Sequence, residues 1–301
     1  MVYLNLCDIG EIKALLARHG FHFSKGLGQN FLRDARIPQA IAENANIGRQ
    51  TGVLEVGPGI GALTQQLCRR ARRVAAVELD RRLPPVLAET MAEFDNLTVV
   101  EGDILKTDIP ALCRRELGPG PWVACANLPY YITTPALSAL IESRCFGSVT
   151  VMVQKEVAQR ICARAATAEY GAFSVYCQYH GAPQIVLQVP AGCFVPAPKV
   201  DSAVVRLDLY PAGQNPLGPV DQALFFRVVR AAFGQRRKML SNCLRQGFPQ
   251  LAKEQILECL TDAGLPEKVR GEQLDLAQFA RLTEEIGRRI SADNPAAGEG
   301  R

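Results

Sequence analysis

The chain has 301 residues, 48% of them hydrophobic, which is too apolar for a disordered protein and fits one large globular domain or two of ordinary size. No apolar run approaches the roughly 18 to 20 residues that span a bilayer. Residues 1–11 lack the charged, apolar and small-residue succession of a signal peptide, so we expect a soluble, cytoplasmic protein with no membrane partner. The net charge is only +4, so any affinity for polyanions must come from where the charges sit.

Residues 8–19 carry Ile9, Ile12, Leu15 and Leu16 on one side of a helix, which predicts a short amphipathic element. The glycine-broken run Ser24-Lys25-Gly26-Leu27-Gly28-Gln29-Asn30 predicts a loop. Short apolar strands are expected at 52–56, 73–77, 97–100, 122–126 and 149–153, with helices from about 61 to 70 and from about 81. Strands alternating with helices predict a parallel sheet covered on both faces, and residues 185–189 and 204–209 offer strands to close it. Residues 211–219, with Pro211, Pro216 and Pro219, read as a linker. Beyond it, periodic segments at 221–234, 236–246, 251–263 and 275–290 predict helices and no strand. The organisation expected is an α/β domain over 1–210, a small all-helical domain over 211–290, and a small, polar, disordered tail over 291–301.

Ten cysteines raise the question of a disulfide framework or a metal site. Their closest pair in sequence is Cys113 and Cys125, so no Cys-x-x-Cys clamp exists, and none of His19, His22 and His180 falls in a zinc-ligand pattern. Reduced thiols and no metal are expected, with Cys125, Cys162 and Cys177 acting as small apolar residues.

Three strand ends carry polar chemistry. Glu55-Val56-Gly57-Pro58-Gly59-Ile60-Gly61 joins the first strand to a helix; glycines admit a ligand close to the backbone, and the helix start offers unpaired N–H groups. Glu78 ends the second strand 21 residues after Gly57, near the spacing of roughly 20 at which a carboxylate grips a ribose. That much also fits a dinucleotide enzyme. The Gly-x-Gly-x-Gly spacing with Pro58 inside it, and Asp103 at the end of the third strand, outline a single nucleoside instead. Helix capping is the plainer account of Glu78 or Asp103 taken singly.

The fourth strand ends in Asn127-Leu128-Pro129-Tyr130-Tyr131. This could be no more than a strand-end turn, since proline forces its predecessor extended and tyrosines rim cores. It could also act on an amine. An exocyclic adenine amine shares its lone pair with the ring, and acceptors aimed at its N–H bonds free that pair. Asn127 offers a side-chain oxygen, the carbonyls beside Pro129 are expected to point freely, and Tyr130 offers a flat face for an extruded base.

With these segments in order, the chain resembles the KsgA-type rRNA adenine dimethyltransferases. The resemblance runs through Gly28-Gln29-Asn30-Phe31-Leu32, Leu54 to Gly59, Val77-Glu78-Leu79-Asp80, Gly102-Asp103 and Asn127 to Tyr130. It continues through Gln154 to Ala158, Tyr170-Gly171 with Ser174-Val175, and Phe194 to Val205. It implies a Rossmann-like, seven-stranded class I methyltransferase sheet with a small all-helical C-terminal domain. It also implies S-adenosyl-L-methionine as methyl donor, with Asn30, Leu32, Gly57, Gly59, Glu78, Asp103 and Asn127 lining its pocket. Asn127 with the carbonyls of Leu128 and Pro129 would hold the target amine, Tyr130 would stack on the base, and Phe194 would be a second stacking face. The implied substrate is two adjacent adenosines of the 3′-terminal hairpin of small-subunit rRNA in a pre-ribosomal particle; separately from the resemblance, a monomer is expected. Two departures stand out: Tyr131 replaces the Asn of many members, and Pro84-Pro85 falls early in a helix.

Residues 221–250 hold Arg227, Arg230, Arg236, Arg237, Lys238 and Arg245 against Asp221 alone. Such a run is by itself most often a solvated helix face; beside the resemblance it predicts rRNA phosphate contacts, centred on Arg236, Arg237 and Lys238. Two rivals stay open: a large-subunit rRNA methylase of the macrolide-resistance type, and a non-catalytic RNA-binding assembly or transcription factor on the same fold. Leu128, where the resistance methylases tend to carry Ile, and the long Phe194 to Val205 segment favour the small subunit.

Overall fold

A computed structural model describes residues 4–21, 30–211, 214–235 and 237–293. It divides the chain into two compact units, residues 1–158 with 182–209, and residues 159–181 with 210–301.

The first unit is built on a seven-stranded sheet. Its strands are β2 (Gly52–Val56), β3 (Arg73–Glu78), β4 (Leu97–Glu101), β5 (Trp122–Asn127), β6 (Ser148–Gln154), β7 (Gly181–Val189) and β9 (Ser202–Leu209), in the order β4-β3-β2-β5-β6-β9-β7. The pairs β3–β4, β2–β3, β2–β5 and β5–β6 are parallel, and β9 runs antiparallel to β6. All five residues of β2 are buried, as a central parallel strand covered on both faces requires. This is the strand order of the class I methyltransferase sheet expected above. Every expected strand is present, most of them a residue or more longer than their apolar runs.

The helices around the sheet are α1 (Ile9–Arg18), α2 (Arg36–Asn44), α3 (Ala62–Cys68), α4 (Pro84–Thr90), α5 (Ile109–Leu117) and α6 (Thr133–Glu142). α1 starts where Asp8 accepts from the Glu11 N–H and buries Ile12, Leu15 and Leu16. The prolines that looked misplaced in a helix from Arg81 are explained by a later start. α4 begins at Pro84, so both rings occupy the first turn, where N–H groups have no intrahelical partner. A two-stranded ribbon, β1 (Phe31–Leu32) with β8 (Phe194–Val195), pairs Phe31 with Val195 and Leu32 with Phe194. The loop expected at 24–30 lies outside the described residues except for Asn30.

The second unit is helical: α8 (Ala172–His180), α9 (Gln222–Phe233), α10 (Leu240–Gly247), α11 (Lys253–Asp262) and α12 (Leu276–Asp293). The four C-terminal helices are those predicted. Helix α7 (Lys155–Ile161) spans the boundary between the units, and 159–181 belongs to this second core, which the division at 210 did not anticipate. Phe225, Phe248, Phe279 and Tyr170 are fully buried in it. α12 continues to Asp293, three residues into the segment expected to be a tail; residues 294–301 lie outside the described residues. All ten cysteines are free thiols, seven of them buried.

Candidate active site

The strand order reverses between β2 and β5, and in open α/β sheets ligands bind in the crevice beyond the carboxyl ends of such strands. A cavity of about 300 Å³ lies there. Its walls include every described residue predicted for the cofactor and the base: Asn30, Leu32, Gly57, Gly59, Glu78, Asp103, Asn127, Leu128, Pro129, Tyr130 and Phe194. The volume is at the small end of ligand pockets and suits one nucleoside-sized molecule.

The glycine turn is held open by backbone geometry. Gly57 and Gly59 have φ of 68° and 60°, a conformation that side chains strain. A Cβ on Gly59 would also lie 3.3 Å from the Phe31 ring. The Gly57 N–H donates to the Val77 carbonyl at 2.9 Å, tying the turn to the neighbouring strand.

Glu78 is buried, and its two oxygens are anchored separately: Oε1 accepts from the Asp80 N–H at 2.8 Å and Oε2 from the Gly59 N–H at 3.4 Å. A carboxylate has about four lone-pair sites, so each oxygen keeps capacity for a ribose hydroxyl. Burial pushes its carboxyl above the ordinary value, against the pull of the backbone N–H groups. Asp103 does cap a helix, as the plainer account held: Oδ1 accepts from the Leu105 N–H at 3.0 Å. Its Oδ2 has no partner among the described residues and stays available to an amine.

The structure corrects one expectation at the catalytic segment. The Pro129 carbonyl does not point freely: it accepts from the Ile132 N–H at 3.1 Å and from the Thr133 hydroxyl at 3.4 Å. The cause is local, because the chain turns into a 3-10 helix over Tyr130–Ile132 and Pro129 supplies its first acceptor. The Leu128 carbonyl and the Asn127 side chain have no hydrogen bond among the described residues, and both residues line the cavity. The Leu128 N–H is fixed on the Met152 carbonyl at 3.2 Å. Two acceptors, Asn127 and Leu128, therefore remain where three were expected.

Tyr130 is half-buried, and its phenol oxygen lies 2.8 Å from Ser202 Oγ. Burial raises this phenol above its ordinary value while the serine contact opposes the rise. Phe194 is buried and is among the residues that line the cavity. Tyr131 is exposed at the rim, where burial and the nearby Asp103 and Glu78 carboxylates raise its phenol.

Glu55 is a functional candidate that the sequence motif contained but did not explain. Its side chain is buried, burial pushes its carboxyl up to about 8, and the Glu78 charge adds to the rise. The Thr64 hydroxyl lies close enough to favour the charged form, yet not in hydrogen-bonding geometry. Glu55 Oε2 and Thr64 Oγ1 thus lack partners among the described residues. An orphaned carboxyl oxygen, an Asn127 side chain unpartnered among the described residues and a cradle of positive-φ glycines fit a site that completes its hydrogen bonds with a polar nucleoside ligand.

Around the turn between α9 and α10, Arg230, Arg237, Lys238 and Arg245 are exposed and none has an acidic partner among the described residues. Arg227 differs: its guanidinium lies 4.4 Å from the centre of the Phe248 ring and donates to the Gly247 carbonyl at 2.9 and 3.2 Å. Arg236 lies outside the described residues.

Residues 20–287 match the model of the family described as ribosomal RNA adenine dimethylase. The chain is 44% identical to the ribosomal RNA small subunit methyltransferase A of Geobacillus thermodenitrificans (strain NG80-2), over 94% of this chain and 97% of that one. It is 45% identical to the enzyme of the same name from Streptococcus pneumoniae serotype 2, over 94% and 98%. Among solved structures it is similar to a dimethyladenosine transferase from Plasmodium falciparum, with TM-score 0.73 and 26% identity over 86% of this chain and 98% of that one. It is also similar to the 23S rRNA methyltransferase ErmE, with TM-score 0.65 and 28% identity over 86% and 100%. A family match across most of the chain, on a sheet whose strand ends line a nucleoside-sized cavity, leads to one conclusion: this chain belongs to the ribosomal RNA adenine dimethylase family.

Proposed function

We propose that this chain dimethylates the exocyclic amines of two adjacent adenosines in the 3′-terminal hairpin of small-subunit rRNA, using S-adenosyl-L-methionine. The observation that carries the reading is the pair of acceptors without a partner among the described residues, the Asn127 side chain and the Leu128 carbonyl, at the edge of a cavity walled by Gly57, Glu78 and Asp103. Bound there, the cofactor supplies a methyl group already activated on a sulfonium.

The protein's own work is to bind and align. Glu78 accepts from the ribose, Asp103 Oδ2 accepts from the cofactor's adenine amine, and Asn30, Leu32, Gly57 and Gly59 complete the wall. In the first transfer Asn127 and the Leu128 carbonyl accept from the two N–H bonds of the target amine and turn its lone pair toward the cavity; in the second, the monomethylated amine offers its one remaining N–H to one of them. Tyr130 carries the face of the extruded base and Phe194 supplies a second apolar face. Holding the reacting atoms in line supplies most of the acceleration. A strong base is not required, because the alkylated amine is acidic enough to lose its proton to water.

Identity of 44–45% over nearly the whole chain to enzymes named for the small subunit, against 28% to one named for 23S rRNA, supports the small-subunit target. Arg230, Arg237, Lys238 and Arg245 are free to meet rRNA phosphates, whose contacts position the substrate without reading its sequence. The chain works as a cytoplasmic monomer on a pre-ribosomal particle in this reading. Among the described residues, no helix is long and apolar enough to cross a membrane.

The deciding experiment incubates the protein with labelled S-adenosyl-L-methionine and separated small and large ribosomal particles lacking the modification, then identifies the labelled nucleoside. Dimethyladenosine confined to small-particle RNA is the expected result. Label in the large particle would transfer the assignment to the resistance-type methylases, and none in either would leave an RNA-binding factor.

A further inference from the structure

Tyr130 is the residue whose angle matters most if a base stacks on it, and its ring is fixed from an unexpected direction. The chain places its backbone in the short 3-10 turn after Pro129. The far end of the ring, the phenol oxygen, lies 2.8 Å from Ser202 Oγ, 72 residues away in sequence. Ser202 is fully buried and opens β9, directly across from Gln154 of β6.

The serine is itself held on both sides. Its partner strand β6 fixes it laterally, and the preceding residue, Asp201, is anchored twice. The Asp201 carbonyl accepts from the Lys155 N–H at 2.9 Å and its Oδ1 from the Ala191 N–H at 2.9 Å. A ring tethered at both Cα and phenol oxygen has a fixed long axis, and only rotation about that axis remains. That axis sets one of the two tilts of any base lying on the ring, its pitch along the axis, relative to the Asn127 and Leu128 acceptors.

Simple satisfaction of a polar group is the plainer account, since half-buried tyrosines usually find a partner. But Tyr130 lines an open cavity, where water would serve that need. A fully buried hydroxyl on a rigid strand adds direction, which water does not.

We propose that Ser202 is a positioning residue for methyl transfer. Its hydroxyl pins the Tyr130 phenol and so sets the tilt at which the target adenine is presented to Asn127 and Leu128. This rests on the function proposed above, and it gives the Phe194 to Val205 segment a task beyond its strand pairing.

The test is a double-mutant cycle with two readouts. Ser202→Ala, Tyr130→Phe and the double variant are assayed for single-turnover methylation of small particles at saturating cofactor. Each single change removes the same bond while keeping the ring, so each lowers the rate about tenfold, in line with the sensitivity of catalysis to small misplacements. The double variant is then no slower than either single one. Affinity for S-adenosylhomocysteine, measured by calorimetry without RNA, stays within about twofold, because the bond lies on the base side of the cavity. The second readout is ring-labelled tyrosine in NMR spectra without RNA, with the Tyr130 signals assigned by their loss in Tyr130→Phe. The bond holds the long axis of the ring and leaves its flip about that axis free, so the order parameter of the axis, high in the wild type, falls in Ser202→Ala.

Multiplying rate effects, an unchanged rate in Ser202→Ala, or a Tyr130 ring equally mobile in both proteins would each overturn the proposal. Should Ser202→Ala fail to fold, Tyr130→Phe alone decides: a fall supports the pin and an unchanged rate removes it. A wild-type protein that methylates no adenosine, while its Tyr130 ring is still pinned, would instead sink the proposed function.

Discussion

The cavity edge and the α9–α10 turn treat charge in opposite ways. At the cavity, Glu55 and Glu78 are buried and burial pushes both carboxyls up, while the acceptors left for the target amine among the described residues are neutral, the Asn127 amide and the Leu128 carbonyl. At the turn, Arg230, Arg237, Lys238 and Arg245 keep their charges in water with no acidic partner among the described residues. The difference matches two kinds of recognition. Reading individual atoms of an amine needs few, fixed, desolvated groups, whereas holding a phosphate backbone needs many cations and tolerates their motion.

The sharpest way to break this contrast is at Asn127. Asn127→Ala removes a fixed acceptor, and single-turnover transfer is expected to fall about 100- to 1000-fold, as for the loss of one preorganised transition-state hydrogen bond. Particle binding, governed by the other region, should change by less than about twofold. Single-turnover rates and filter binding on the same preparation separate the two. Unchanged transfer with cofactor binding intact would show that the amine is not held by Asn127.

Glu55 tests the claim that the cavity suppresses charge. Its carboxyl titrates near 8 in the folded chain and near 4.5 when unfolded. Between those values the native state holds a proton that the unfolded chain has released. This contribution to stability is therefore complete below about pH 4.5 and is lost as pH rises toward 8. The slope is roughly 1 kcal/mol per pH unit, a few kcal/mol across the window. Glu55→Gln should flatten it in denaturant titrations at pH 5, 6.5 and 8. If the variant keeps the wild-type slope, Glu55 is ionised in the folded state and the cavity carries a buried charge.

How much of this was legible in the sequence differs between the two regions for a physical reason. Cations on amphipathic helices are visible as composition, and the four C-terminal helices were predicted from their apolar period. At the cavity, the strand ends were legible because Gly57, Glu78, Asp103 and Asn127 each follow an apolar run. Which carbonyl is free was not, since the engagement of the Pro129 oxygen by Ile132 and Thr133 depends on a 3-10 turn with no apolar signature. The burial of Glu55 was equally hidden, because a parallel strand covered on both faces has no alternation to mark its sides. The ribbon of β1 and β8 is two residues per strand, too short for any period. Helix α8 follows α7 and leads into β7 with no breaker-rich linker on the scale of 211–219 to mark a change of unit, so the excursion of 159–181 into the helical core left no trace in sequence.

Neutralising Arg237 and Lys238 to Gln sharpens the other side. Each lost phosphate contact should reduce the steepness of log affinity against log salt by roughly 0.7, so the pair reduces it by about 1.4. Particle affinity near physiological salt should fall about tenfold, and the product should still be dimethyladenosine alone. A slope equal to that of the wild type would remove this turn from the RNA footprint.

The smallest effect is expected where the two behaviours meet, at Arg227. It belongs to the same basic run, yet its guanidinium is spent inside the helical unit, over the Phe248 ring and on the Gly247 carbonyl that ends α10. A cation over an aromatic face and a C-terminal carbonyl together contribute about 1 kcal/mol at an exposed site. Arg227→Ala should therefore lower the melting temperature by about 2 to 4 °C and leave the salt slope of particle binding untouched. Arg227→Lys should recover little of the loss, since an ammonium cannot lie flat on the ring and donate two parallel bonds. Counting charges would give Arg227 the same weight as Arg237. A salt slope that drops in Arg227→Ala would restore that count and show that its contacts within the helical unit yield to phosphate when RNA binds.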